Sequence, residues 1–295
     1  MRITITGASG RIGRHLADRL RARGDEVTVL SRDPQRGVRW DPVAEPAPAE
    51  ALAGRDAVVH LAGEDVAQRW SDGAKSRIRE SRVTGTQNLV AGIAAVPADA
   101  RPAVLVSGSA SGYYGPHGDE EVTEAAPAGE DFLATVCAGW EREALAAEPL
   151  GLRVVRVRTG IVLDREGGAL ATMLTPFRLG VGGPVAGGRQ WMPWIALEDE
   201  VGLLLCAIDD RAYSGAINAS APNPVTNRDF SRALGRALHR PAIAPVPGFA
   251  IRALYGEMAQ IVTTGVRMVP ARALDLGYSF AHPELDAALR STLAG

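Results

Sequence analysis

Residues Arg2–Thr6 alternate polar and β-branched side chains, a period of two that predicts a short strand. From Arg11 to Arg23 the period lengthens. Ile12, Leu16 and Leu20 recur every fourth position with Ala17 alongside, which predicts a helix, and Gly24-Asp25 ends it. Glu26–Leu30, Asp56–Gly63, Ala103–Ser107 and Arg153–Arg158 read as further strands. Between them Ser71–Val96 and Asp131–Glu148 carry helical spacing, the second through Phe132, Val136, Trp140 and Leu145. Such alternation predicts a parallel sheet with right-handed crossovers. After about Thr159 the pattern breaks into glycine loops at Gly167-Gly168 and Gly180–Pro184. Helical stretches resume at Glu198–Ile208, Asn227–Leu238, Pro247–Tyr255 and His282–Leu293. The proline-rich stretch Pro42–Pro48 reads as a surface loop.

Gly7-Ala8-Ser9-Gly10-Arg11-Ile12-Gly13 joins the first strand to the first helix. Strand, glycine turn, helix, strand is the context in which a GxxGxxG spacing binds a dinucleotide. Gly7 permits the tight turn, Gly10 lets backbone approach a pyrophosphate, and Gly13 lets the helix lie close to the sheet. The free N–H groups of the helix start then face the phosphates. The end of the second strand selects the cofactor. An acidic residue there would bind the ribose 2′-hydroxyl of NAD, whereas Ser31-Arg32 suits the 2′-phosphate of NADP. If Asp33 rather than Arg32 faces the ribose, the cofactor is NAD. The expected fold is therefore α/β, a Rossmann-type doubly wound parallel sheet with a small C-terminal substrate-side region. Residues 1–165 would form the NADP-binding core. Residues 166–295 would form a mixed substrate-side region, part of it returning to the core sheet, ending in a small helical C-terminal domain.

Composition adds exclusions. A chain of 295 residues with 46% hydrophobic and 22% charged side chains is ordinary globular material. Its formal charge of −2 gives no whole-chain footprint for nucleic acid or an anionic membrane, so neither is an expected partner. The start of the chain does not read as a signal peptide, and a cytoplasmic protein is expected. Cys137 and Cys206 are the only cysteines, too few for a disulfide framework, and no Cys/His spacing suggests a metal. Both read as structural. His60, ending a strand, reads as a satisfied polar group.

The motifs resemble the extended branch of the short-chain dehydrogenase/reductase superfamily. Thr6–Gly13 matches its TGxxGxxG turn, Asp56–Gly63 its DxVxHLAG strand, and Thr84–Leu89 a later helix. A narrower resemblance, to an NAD-dependent epimerase/dehydratase group also described as sugar-nucleotide epimerase-like, rests on further marks. These are Arg69-Trp70, Ser81-Arg82, Tyr113-Tyr114-Gly115, Trp140-Glu141, Pro176–Gly180, Gly182–Pro184 and Pro193–Ile195. Pro270–Arg272 and Gly277-Tyr278 resemble that group's small terminal domain of unassigned function. The resemblance implies that Gly7, Ser9, Gly10, Ile12 and Gly13 hold the pyrophosphate and that Ser31 and Arg32 hold the 2′-phosphate. It also implies that Leu61, Ala62 and Gly63 lie along the cofactor, with Arg82 pointing to it and Val162 near the nicotinamide.

Ordinary members of that superfamily carry Tyr and Lys at i and i+4 on one helix face, where the lysine lowers the phenol's pKa for acid–base work. No Tyr-x-x-x-Lys occurs in this chain, and only one of its 32 basic residues is a lysine, Lys75. With Glu141 as anchor, the pair's positions fall on Leu133 and Cys137. Ser109 best matches the family serine, and Tyr113 is the available phenol; these two are the expected catalytic contacts. The resulting expectation is an atypical NADP(H)-dependent oxidoreductase or epimerase-like protein with a small-molecule substrate. The alternative is a non-catalytic NADP(H)-binding sensor or scaffold. Trp191 and Trp194 read either as walls for a flat or sugar-like ligand or as core, and His117 as a residue able to swing over the site.

Overall fold

A computed structural model describes residues 1–294. Strand β1 (Arg2–Thr6) enters the glycine turn and helix α1 (Arg11–Ala22), followed by β2 (Glu26–Ser31), the short β3 (Val38–Arg39) and β4 (Ala57–His60). Helix α2 (Asp72–Ala95) leads to β5 (Val104–Ala110), a 3-10 turn at Ser111–Tyr114, β6 (Glu121–Val122) and α3 (Phe132–Leu145). Then come β7 (Arg153–Thr159), β8 (Ile161–Leu163), α4 (Gly168–Arg178), β9 (Trp191–Met192), β10 (Trp194–Ala196) and α5 (Leu197–Asp209). The chain continues through β11 (Gly215–Ala219), β12 (Val225–Thr226), α6 (Asn227–Leu238) and α7 (Gly248–Tyr255). It closes with α8 (Gln260–Thr263), β13 (Arg267–Met268), α9 (Ala271–Asp275) and α10 (Leu285–Ala294).

The main sheet has seven strands in the order β11-β7-β5-β4-β1-β2-β3, all parallel. The order reverses between β1 and β4, and the crevice outside the strand ends at such a reversal is where dinucleotides bind. The central strands β1, β4 and β5 are buried on both faces because both are covered. Ile3, Ile5, Val106 and Val157 meet Leu16, Leu20 and Leu204 of α1 and α5 on one side. Leu105, Val58 and Val154 meet Leu89, Ile93 and Ala144 of α2 and α3 on the other. Side-chain caps fix where α2 and α3 start: Ser71 accepts from the Ala74 N–H, and Asp131 from that of Ala134.

The second region splits its labour. β11 returns to the core sheet and pairs with β7 from Gly215↔Val155 to Ala219↔Thr159. The rest folds around Leu170, Phe177, Trp194, Phe230 and Leu289. Trp194 is buried, its indole N–H donating to Asn223 O (3.2 Å), which settles it as core. The expected surface loop at Pro42–Pro48 is only partly one. Ala47 is buried because Gly92 of α2, having no side chain, leaves it room against the helix. The C-terminal segment is tied to the core by β13–β6 pairing and by Asp199, whose carboxylate accepts from the N–H groups of Ala281 (2.7 Å) and His282 (3.0 Å). Among the described residues no helix is long and apolar enough to cross a membrane.

Candidate dinucleotide site

The glycine turn has the shape its spacing requires. Gly7 has φ +74°, and a Cβ there would lie 2.6 Å from the carbonyl carbon of Leu61, so the turn and the end of β4 touch backbone to backbone. A Cβ on Gly13 would overlap the Gly7 carbonyl. Gly10 caps α1 with no side-chain hydrogen bond, and the first turn holds no acidic residue. The leading N–H groups of α1 are thus left for an anion. Ser9 is exposed on this turn, and Ile12 packs beneath it on the core. The residue types fit a pyrophosphate, since the turn presents donors and no carboxylate.

At the end of β2, the Ser31 hydroxyl accepts from the Asp33 N–H (3.1 Å). The Asp33 carboxylate accepts from the Gln35 N–H (3.0 Å) and pairs with Arg36 (3.2 Å). Arg32 is exposed and, among the described residues, makes no side-chain hydrogen bond or ion pair. The acid that would read a ribose hydroxyl is occupied in its own turn, while the guanidinium beside it is free.

The rest of the predicted cofactor path runs along the same strand ends. Leu61, Ala62 and Gly63 follow β4, and Ala62 N–H donates to the Thr6 hydroxyl (3.2 Å). Val162 is half-buried in β8, paired with Ile195. Arg82 of α2 stands against Gly63, where an added Cβ would come within 3.1 Å of its guanidinium. It donates to Glu64 O (2.9 Å) and Ile78 O (3.3 Å) and lies 5.2 Å from the Trp140 ring. Burial pulls its pKa down.

His60 beneath this edge is fully buried between two hydroxyls, Thr6 Oγ1 (2.7 Å at Nδ1) and Thr86 Oγ1 (3.1 Å at Nε2). The Thr86 hydrogen is committed to Arg82 O (2.6 Å), so Thr86 accepts from Nε2–H and Thr6 donates to Nδ1. The imidazole is neutral, its pKa driven down to about 4 by burial and then by the Arg82 charge. It is a strut, as the sequence suggests, not a base.

Leu133 and Cys137, the positions expected for the missing pair, lie together against one loop. A Cβ on Gly112 would meet Leu133 Cβ at 3.3 Å and Cys137 Sγ at 3.9 Å, so both positions face the loop after β5. Cys137 is buried, and burial pushes its thiol up to about 12, which makes it a protonated filler. Lys75 is elsewhere, ion-paired with Glu257.

The two expected catalytic residues have different surroundings. Ser109 is buried, and its hydroxyl donates to Glu141 Oε1 (2.8 Å) inside the sheet–α3 interface. The part-exposed hydroxyl of this loop is Ser111, at the strand end. Tyr113 is half-buried with the Arg158 guanidinium 3.5 Å from its ring centre. Glu141 also accepts from Arg158 Nε (2.8 Å) and Nη2 (2.9 Å) and from Arg156 Nη1 (2.9 Å). Arg158 donates to the Tyr114 hydroxyl (2.9 Å), which donates to Asn218 Oδ1 (2.5 Å). Burial pushes that phenol up to about 12, so Tyr114 is a buried anchor. This network went unread in the sequence, although arginines at alternate positions of a buried strand, opposite Val155 and Val157, are a signal for a buried carboxylate partner. His117 is held by Glu120 (2.9 Å) and the Tyr114 carbonyl (3.1 Å). Trp191 donates to Asp119 (2.9 Å) with Arg267 over its ring.

The terminal segment covers the start of α3. Met258 is buried with Trp70, Ile78 and Val136, beside Phe132 and Leu133, and Gln260 donates to Asp131 Oδ2 (2.9 Å).

The sequence profile of the NAD dependent epimerase/dehydratase family matches residues 3–219 of this chain. The chain belongs to that family. A second profile, the domain of unknown function DUF1731, matches residues 246–292. Among family relatives, the chain is 41% identical to the epimerase family protein SDR39U1 homolog, chloroplastic, of Arabidopsis thaliana, over 99% of this chain and 87% of that protein. It is 39% identical to the epimerase family protein SDR39U1 of Homo sapiens over the full length of both. The crystal structure of human epimerase family protein SDR39U1 (isoform2) with NADPH superposes with a TM-score of 0.90 at 35% identity, covering 100% of this chain and 99% of that one. The Rossmann-type fold of this chain is therefore shared with that structure along its whole length.

Proposed function

We propose that this family member is an NADP(H)-dependent oxidoreductase or epimerase-like enzyme acting on a small-molecule substrate in the cytoplasm, without a Tyr-x-x-x-Lys pair. The observation that carries the cofactor choice is the free, exposed Arg32 beside an Asp33 already engaged by Arg36. The NADPH in the human relative's structure supports the same choice. When bound, the nicotinamide supplies or accepts a hydride at C4. The chain's part is to hold and orient. The α1 N–H groups and Gly7–Gly13 receive the pyrophosphate, Ser31 and Arg32 the 2′-phosphate, and Leu61–Gly63 and Val162 line the path to the reacting end. There Tyr113 and Ser111 are the hydroxyls for a substrate oxygen, with Arg82 as the nearby cation. Ser109 acts one layer below as a positioning residue: it holds Glu141, which holds Arg158 against the Tyr113 ring.

A second reading, a non-catalytic NADP(H) sensor or scaffold, is favoured by the apolar filling at Leu133 and Cys137. Fluorescence titration with NADPH and NADH tests the cofactor. Removing one charged phosphate contact in Arg32→Ala should weaken NADPH roughly ten- to a hundredfold and leave NADH unchanged. Equal affinity of the parent protein for both cofactors would overturn the assignment. A screen of carbonyl and alcohol substrates, followed at the absorbance of the reduced cofactor, separates the two readings. Turnover that survives Tyr113→Phe would remove Tyr113 from the site, and NADPH binding with no turnover across the screen would favour the sensor.

A further inference from the structure

Two segments far apart in sequence run side by side at one end of the molecule. Arg240 Nε donates to Arg178 O (3.0 Å), Val246 N–H donates to Pro184 O (2.9 Å), and Ala186 N–H to Val246 O (2.9 Å). Val185 and Val246 bridge in parallel, and Gly248 lies against Ala186. This paired edge carries the most exposed large apolar side chains of the described residues: Ile243 at 82%, Phe249 at 79% and Leu179 at 72%, with Val181 at 59%. Helix α7, which follows directly, buries none of its eight residues. An eight-residue helix has little stability in water without an apolar surface to lie on, and contiguous apolar exposure of this kind marks a contact surface.

The charge on the same edge is one-signed. Neither 176–190 nor 238–256 contains an Asp or Glu, in a chain with 34 of them, while the two segments hold Arg178, Arg189, Arg240, Arg252 and His239. A hollow of about 550 Å³ beside Ile243 is lined by Arg232, Arg236, His239 and Arg240. Arg232 and Arg236 are matched by Asp229 and Asp286, which leaves Arg178, Arg240 and Arg252 without ion pairs among the described residues. The whole-chain charge of −2 hides this surface because the acids lie outside the two segments, Asp229 and Asp286 at the hollow among them.

We infer that this edge docks on an anionic lipid bilayer, with Leu179, Val181, Ile243 and Phe249 entering the headgroup–acyl boundary and the unpaired arginines meeting lipid phosphates. Two features favour a bilayer over a protein. Leu179, Val181, Ile243 and Phe249 are each at least 59% exposed, and only Ile243 also borders the hollow; side chains so exposed need a soft apolar medium more than a preformed complementary surface. The arginines border them as in interfacial helices, whose binding adds apolar burial to attraction for anionic lipid. The inference is independent of the cofactor and of catalysis.

Co-sedimentation of the full chain with phosphatidylglycerol–phosphatidylcholine vesicles, and with phosphatidylcholine vesicles alone, tests it. The expected result is pelleting with the anionic vesicles that weakens with salt, and little with the neutral ones. Arg178→Glu and Arg240→Glu should each weaken binding by about fivefold or more, as one arginine at an anionic surface contributes about that factor. Ile243→Asp with Phe249→Asp should abolish it while NADPH binding and the thermal melt stay those of the parent, which shows the variant is folded. No pelleting, equal pelleting with neutral vesicles, or an unaffected Asp double variant would overturn the proposal. So would a concentration-dependent dimer in vesicle-free sedimentation that the double variant dissolves, since the face would then belong to a second copy.

Discussion

Gly13 and Ser109 mark two kinds of position, one set by local space and one by a distant partner. Gly13 is fixed by space: any side chain there meets the Gly7 carbonyl. Gly13→Ala should cost about 1–3 kcal/mol by displacing packed backbone and weaken NADPH binding with it; a melt and a cofactor titration that both match the parent would contradict this. This role was legible in the sequence because glycine spacing is local. The four-residue offset of Leu133 and Cys137 is local too, and it puts both against the loop at Gly112. The partner of Ser109 was not legible. Whether an alternate strand position faces α3 or the cleft depends on which helix covers that face, and Glu141 lies on a separate element. Trp191 and Trp194 show the same limit. They are three positions apart and chemically alike, yet one is core and the other is half-exposed against Asp119.

Among elements, β5, β7 and α3 are joined by one carboxylate. Glu141 accepts from Ser109, Arg156 and Arg158, and the Arg158–Glu141 pair is nearly inaccessible to solvent. Such a pair adds little relative to an apolar filling, but removing one member leaves the other charge buried and uncompensated. Glu141→Gln should therefore destabilise by roughly 3–5 kcal/mol, read as a lower urea midpoint. Because Arg158 backs Tyr113, any turnover should fall in kcat more than rise in KM. A change of stability without a change of kcat would confine the network to a structural role. Strands β1, β2, β4, β5 and β7, the longer helices between and after them, and the parallel character of the sheet were legible from periodicity; the strand order was not, because it is set by packing between distant elements. The seventh strand was anticipated only as a return of the second region to the core, because Gly215–Ala219 is too short to announce its partner.

For the whole molecule, two buried groups tie stability to pH with opposite sign. His60 has its pKa lowered from 6.5 to about 4 by burial and the Arg82 charge. The unfolded chain takes up that proton first, so stability falls as pH drops from 6.5 towards 4, by about 3 kcal/mol in all. Glu200 is fully buried, accepts from Thr159 (2.8 Å), and has its pKa raised from 4.5 to about 7 by burial. Here the folded chain holds the proton longer, so stability falls as pH rises from 4.5 to 7, again by about 3 kcal/mol. The two windows nearly coincide, and the parent melting temperature should change little between pH 4.5 and 6.5. Glu200→Gln removes one side of the balance, and its melting temperature should climb with pH across that interval. A flat profile for the variant would refute the assignment.

The tie between the terminal segment and the core bears on the order in which the protein is made. Strand β6 finds its partner only in β13, and Asn218, which receives the Tyr114 hydroxyl, donates its own amide to Val269. As the chain leaves the ribosome, the dinucleotide half is complete long before Met268 is translated. During that interval Val122, Tyr114 and the Asn218 amide are without their C-terminal partners, and contacts of such sequence separation form late. A ribosome stalled before Met268 should thus display the main sheet with its glycine turn formed and, outside that sheet, a β6 segment still unpaired, the stage at which a chaperone has most to hold.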